Sequence, residues 1–111
     1  MVYLVHYKYI AGWHTINSDI FYEINSKPIY GIYNDYRKGL IEAITFNIKN
    51  HSNSYIRSQY NSEDNLPNFI VFNMDELKDL HIKIINSLEG DKYTIKYCDI
   101  KELSIEDDNN M

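Results

Sequence analysis

The side chains best suited to chemistry are four histidines, one cysteine and one short acid-x-lysine tripeptide. The histidines are His6, His14, His51 and His81. They are widely spaced, whereas zinc sites usually contain at least one close pair of ligands. No glycine-rich phosphate loop and no G-x-S-x-G motif is present, and the four glycines are dispersed. The sequence therefore predicts no metal and no cofactor.

The tripeptide is Asp99-Ile100-Lys101, which has the form that metal-dependent nucleases use on a strand, with Glu63-Asp64 or Asp75-Glu76 as candidate partner acids. Such tripeptides occur often by chance in a chain of which 24% is charged. Cys98 has no activating context, so we interpret it as a structural thiol. The pattern favours a non-enzymatic protein and leaves a small metal-dependent nuclease as the less favoured alternative.

The most suggestive segment runs from residue 51 to residue 68, because it is long and polar for a connection within so small a domain. Tyrosine and arginine are over-represented at protein interfaces, since each combines a large contact area with a polar tip. The predicted partner-binding residues are Trp13, Tyr55, Arg57, Tyr60, Glu63 and Asp64. The alternative is that these aromatic side chains cover a small core, with tyrosine enriched by AT-rich coding.

The elements that must position these residues centre on a strand–helix–strand unit. Residues 68–72 form a short apolar run, typical of a strand buried on both faces. Asn73 begins a helix in which Glu76 completes a capping box, and Gly90 ends it in the left-handed conformation. Residues 93–98 alternate in polarity and predict the next strand.

The first half of the chain predicts two strands and a helix. Residues 2–11 and 19–25 alternate in polarity, and a turn at 12–15 joins them into a hairpin. The spacing predicts a helix over 34–50, capped by Asn34 or Asp35. The order is ββαβαβ, a single α+β domain over 1–105 with a mixed sheet and two amphipathic helices. An acidic, frayed tail follows at 106–111.

Composition narrows the choice of partner. The 111-residue chain carries a formal charge of −5, and its eleven basic residues are scattered, which disfavours direct nucleic-acid binding.

The single cysteine excludes an intramolecular disulfide and favours a reducing compartment. No signal peptide or membrane span is expected, so we predict a cytoplasmic protein. An exposed edge strand, either 2–11 or the last strand, offers a route to a homodimer.

The layout also resembles that of a class of small proteins. The segments that carry the resemblance are Val2-Tyr3-Leu4-Val5-His6-Tyr7, Gly12-Trp13, Phe21-Tyr22-Glu23-Ile24, Lys27-Pro28-Ile29 and Phe69-Ile70-Val71-Phe72-Asn73. They resemble small proteins of AT-rich phages and mobile elements, and the chain is similar in size and acidity to anti-CRISPR and other anti-defence inhibitors. The resemblance implies a phage-type inhibitor that binds a host protein or nucleoprotein complex in the host cytoplasm, and it transfers no residue roles.

The sequence thus predicts a non-enzymatic protein-interaction module. A nucleic-acid-associated factor is the main alternative. In that case tyrosines on the sheet would stack on bases, and a basic patch assembled by folding would attract the phosphates.

Overall fold

Three antiparallel strands form a sheet in the order β2-β1-β3. The computed structural model describes residues 2–9, 29–60, 66–91, 94 and 96–103. The strands are β1 (Val2–Tyr9), β2 (Ile29–Tyr33) and β3 (Lys96–Leu103). The predicted strand over 2–11 is confirmed, but β1 lies in the centre of the sheet. It is therefore not the free edge that we predicted for pairing with a second copy.

Three α-helices complete the described part of a compact α+β domain. They are α1 (Tyr36–Lys49), α2 (Ser54–Gln59) and α3 (Met74–Glu89). The α+β class and the helices predicted over 34–50 and from Asn73 onward are confirmed, whereas α2 lies where a loop was predicted. The predicted turn at 12–15, the strand at 19–25 and the tail at 106–111 lie outside the described residues. No described helix is long and apolar enough to cross a membrane.

The predicted strand over 68–72 is wrong. This segment contains a single 3₁₀ turn, Phe69–Val71, in which only Phe69 is buried. Ile70 and Val71 are 70% and 76% exposed. The apolar run thus buries Phe69 and packs Phe72 partly against the same core, while Ile70 and Val71 face outward. The order ββαβαβ is not confirmed.

Polar side chains explain why this run turns. The Asn68 side chain accepts a hydrogen bond from the backbone N–H of Ile70 at 3.2 Å, which closes the turn locally. The Arg37 guanidinium, on α1, donates to the carbonyl oxygens of Ile70 and Phe72. These backbone groups are therefore bonded to side chains and not to a neighbouring strand.

Helix capping follows the sequence closely. The Asp35 side chain accepts a hydrogen bond from the N–H of Arg37 at 3.0 Å and begins α1. At the start of α3, Asn73 accepts from the Glu76 N–H at 2.8 Å, and Glu76 accepts from the Asn73 N–H at 2.9 Å. The capping box is thus confirmed. The left-handed conformation that we expected for Gly90 at the end of α3 is wrong, because the φ angle of Gly90 is −83°.

The helices α1 and α3 pack on one another and on the sheet. Val5, Ala43 and Cys98 are fully buried where α1 covers the sheet. Gly39 allows a close approach there, because a Cβ atom at this position would lie 2.8 Å from Cδ1 of Ile100. The last strand was predicted over 93–98, with either a continuation or a turn after Asp99, and β3 continues to Leu103.

Candidate functional site

An open cleft of about 690 Å³ lies beside α2. One wall is formed by residues 50–55 and Arg57, which belong to the end of α1, the connection and α2. The other wall comes from the C-terminal end of α3 and the connection to β3, and contains Ser87, Gly90, Asp91 and Thr94. The lining is rich in amide and hydroxyl groups and carries charges of both signs. Such a surface is suited to hydrogen-bonding a polar ligand.

Asn53 joins the two walls. Its side chain caps α2 by accepting a hydrogen bond from the N–H of Ile56 at 2.8 Å. The same side chain donates to Oγ of Ser87, on α3, at 3.2 Å. Ile56 is only 2% exposed and anchors α2 in the core. The Asn53–Ser87 hydrogen bond and the packing of Tyr55 and Ile56 against the core thus hold α2 in place.

Two of the predicted partner-binding residues meet in this cleft. Tyr55 is half-buried and Arg57 is exposed, and both line it. Tyr60, just beyond α2, packs against the core, and burial, followed by the nearby Tyr55, raises the pKa of its phenol. Tyr55 packs against the same core, so both tyrosines fit the alternative that we gave, a cover over the core, and Tyr55 lines the cleft as well. Trp13, Glu63 and Asp64 lie outside the described residues.

His51 is a residue of the cleft that the sequence did not single out as a contact. Its Nδ1 lies 2.8 Å from the carbonyl oxygen of Asn47, and its Nε2 lies 2.8 Å from that of Lys96. The contact with Asn47 joins residues four positions apart, as histidines at helix ends commonly do, so it was predictable from the sequence. The second joins positions 45 residues apart and was invisible in the sequence.

The acid that we considered for nuclease chemistry, Asp99, is bonded on both carboxylate oxygens. Oδ1 accepts hydrogen bonds from Nε2 of His81 at 3.0 Å and from the N–H of Ile100 at 2.8 Å. Oδ2 lies 3.6 Å from Nζ of Lys8. Within the part of the chain that the structure describes, no group of three or more His, Cys, Asp or Glu side chains is placed to hold a metal ion.

These contacts change the acidity of Asp99. Burial by itself raises the pKa of the carboxyl, but the bonds from His81 and the Ile100 N–H, with the charges of His81 and Lys8, lower it below its ordinary value. Asp99 is therefore held ionised by its neighbours. The buried ring of His81 makes this bond through Nε2, and its Nδ1 has no hydrogen-bond partner among the described residues.

Cys98 is the fully buried structural thiol that the sequence predicts. Burial raises its pKa to about 12, the Lys96 ammonium opposes that rise, and the Asp99 carboxylate adds to it. The thiolate, which is the nucleophilic form, is accordingly scarce near neutral pH.

No protein-family model matches the chain, and no curated protein or solved structure matches it. The similarity in layout to phage and mobile-element proteins, and to anti-defence inhibitors, stays a prediction. The geometry of the cleft is therefore the starting point for assigning a function.

Proposed function

We propose that this chain is a non-enzymatic binding module that holds a polar segment of a partner protein in the cleft beside α2. The observation that carries the proposal is that Tyr55 and Arg57 line the same open cleft. Its volume, about 690 Å³, lies within the range of about 300–1,000 Å³ that is typical of ligand sites. A peptide side chain or a short stretch of backbone fits a space of this size.

The chemistry of the walls supports a polar peptide as the ligand. Arg57 presents guanidinium donors, which pair well with carboxylate and carbonyl oxygens. Asp91, on the facing wall, brings a negative charge. Because both signs occur in the cleft, a segment that carries mixed polar groups is favoured over a strongly acidic one.

Two features weigh against nucleic acid as the ligand. The chain has a net charge of −5, which repels phosphate. Tyr3 and Tyr7, on β1, are in edge contact with Tyr36 and Phe46 of α1, at ring-centroid distances of 5.2 and 5.5 Å. These two tyrosines pack against a helix, which weighs against their use as a stacking surface for bases.

The resemblance to anti-defence inhibitors extends the proposal. On this view the partner is a host protein or nucleoprotein complex, and binding in the cleft blocks its activity. The extension depends on the partner's identity, which a capture experiment supplies.

The test is an affinity pull-down from a bacterial lysate, with and without nuclease. Three baits are compared: the wild-type chain, the double variant Tyr55→Ala with Arg57→Ala, and the control Lys38→Ala, which removes an exposed cation from α1 away from the cleft. We expect one stoichiometric protein that survives nuclease and is retained by the wild type and the control. The double variant should recover at least tenfold less of this protein. That corresponds to a loss of more than about 1.4 kcal/mol of binding free energy, as expected for residues at the centre of an interface.

Two outcomes would count against the proposal. Equal recovery by the double variant would show that the cleft is not the contact surface. Recovery that disappears with nuclease would favour the nucleic-acid-associated alternative.

A further inference from the structure

The imidazole of His51 lies between two carbonyl oxygens, that of Asn47 at 2.8 Å from Nδ1 and that of Lys96 at 2.8 Å from Nε2. A carbonyl oxygen only accepts hydrogen bonds, so each ring nitrogen must carry a proton to make its bond. Both bonds therefore exist together only in the imidazolium form. In the neutral ring one nitrogen lone pair faces an oxygen lone pair, and one bond is replaced by repulsion.

The two carbonyl groups belong to different elements. Asn47 lies in the last turn of α1, and Lys96 is the first residue of β3. A helix C-terminus favours a positive charge, because its last carbonyl groups lack partners within the helix. The imidazolium, hydrogen-bonded through both nitrogens, thus joins the end of α1 to the edge strand β3, within the wall of the cleft formed by residues 50–55 and Arg57.

We propose that His51 is a pH-sensitive clamp on this wall: the protonated ring holds the wall in the described position, and loss of one proton releases its attachment to α1 or to β3. The inference rests on the proposed function, since it names a regulation of the same cleft. A partner held in the cleft would accordingly bind more tightly at acidic pH, where the clamp is formed.

Charged residues occur on each element around His51 in the described chain: Arg57 and Asp91 line the same cleft, Lys49 is two residues earlier, and Lys96 provides the bonded carbonyl. Lys49 of α1, Arg57 of α2 and Lys96 of β3 are cationic, and Asp91, after α3, is anionic. Nζ of Lys96 lies 4.7 Å from the ring centroid of Tyr7, so its charge is directed to that aromatic face.

The test needs no partner. The protonation of both His51 ring nitrogens is followed by nitrogen-15 NMR between about pH 5 and pH 8, the range in which histidine titrates. In parallel, amide hydrogen exchange of residues 50–57 is measured and corrected for the intrinsic pH dependence of exchange. We compare the wild-type chain, His51→Gln, whose amide donates without titrating, and the control His6→Gln on β1.

We expect the protection of residues 50–57 in the wild type to fall about fivefold as the ring loses its proton, the effect of one net hydrogen bond. His51→Gln should lose this pH dependence, and His6→Gln should keep it. A wild-type ring that carries one proton while the segment remains fully protected would overturn the clamp. These results are independent of partner capture, so a failed pull-down and a failed clamp are distinguishable.

Discussion

The side-chain amide of Asn47 is hydrogen-bonded to both backbone groups of Cys98. Its Nδ2 donates to the Cys98 carbonyl oxygen at 2.8 Å, and the Cys98 N–H donates to its Oδ1 at 2.8 Å. Both residues are 0% exposed. The amide thus occupies the edge of β3 that faces away from β1, in the place of a further strand. A second copy would have to displace Asn47 to pair there, which argues against the last strand as the dimer edge that we predicted.

Asn47→Ala should therefore destabilise the fold strongly. The substitution leaves a buried N–H and a buried carbonyl group unsatisfied and opens a small cavity, which together cost about 3 kcal/mol in the free energy of unfolding. Urea denaturation at neutral pH measures this loss. The matched control is Asn50→Ala, at the exposed end of α1, where the amide donates to the carbonyl of Phe46. We expect that control to cost less than about 1 kcal/mol; equal losses in the two variants would show that the edge contact contributes little.

The ionised state of Asp99 predicts how stability varies with pH. Its pKa is lower in the folded protein than the ordinary value of 3.8, since bonds from His81 and the Ile100 N–H outweigh the effect of burial. A carboxyl of this kind stabilises the fold above its unfolded pKa, and that contribution is lost as the pH falls through its folded pKa. Wild-type stability should consequently decline below about pH 4.

Asp99→Asn should lower the stability of the fold at pH 7. It should also remove the share of the stability loss below about pH 4 that comes from protonation of Asp99. Urea midpoints measured between about pH 7 and pH 3 give the two curves. Asp79→Asn serves as the control, because that carboxylate is exposed and its ion pair with Lys83 lies on the helix surface. Parallel curves for Asp99→Asn and the wild type would contradict the assignment.

Cys98 should be inert in the folded chain. Its thiol is fully buried and has a pKa raised to about 12 by that burial, with Lys96 opposing and Asp99 adding to the rise. We expect alkylation by iodoacetamide near pH 8 to be at least about a hundredfold slower in native buffer than in urea. Mass spectrometry counts the adduct, and Cys98→Ser gives the background. Rapid labelling of the native protein would mean that the thiol is accessible.

Arg37 should hold the turn at 69–71. Its guanidinium donates to the carbonyl oxygens of Ile70 and Phe72, of which the first bond is exposed and the second partly buried. A buried hydrogen bond to a charged group contributes a net ~1.5–3 kcal/mol, and exposure reduces that contribution. Arg37→Met keeps most of the side-chain bulk and removes the donors. We expect a loss of about 1–2 kcal/mol and faster amide exchange in residues 68–73. The control Lys38→Met, at the exposed neighbouring position, should change neither the stability nor the amide exchange. An equal effect of the two variants would show that the loss comes from α1 itself and not from the bonds of Arg37.

Two helices and one strand of this protein follow from its sequence. The helices α1 and α3 have caps and apolar spacing within a few residues of one another, so Asp35 and the Asn73–Glu76 capping box are visible without the fold. The strand β1 follows from its alternation. The residue types of Tyr55 and Arg57 alone favour them as partner contacts, and that role stays a prediction.

Tertiary structure decided the rest. At the turn over 69–71 the carbonyl of Ile70 is bonded to Arg37, 33 residues away, and not to a neighbouring strand. Across the cleft Asn53 is bonded to Ser87, 34 positions later, and Nε2 of His51 is bonded to the carbonyl oxygen of Lys96. A local pattern determines which hydrogen bonds a segment makes within itself. Only the packed fold determines which distant groups satisfy the remaining donors and acceptors, and at these sites those distant groups decided the conformation.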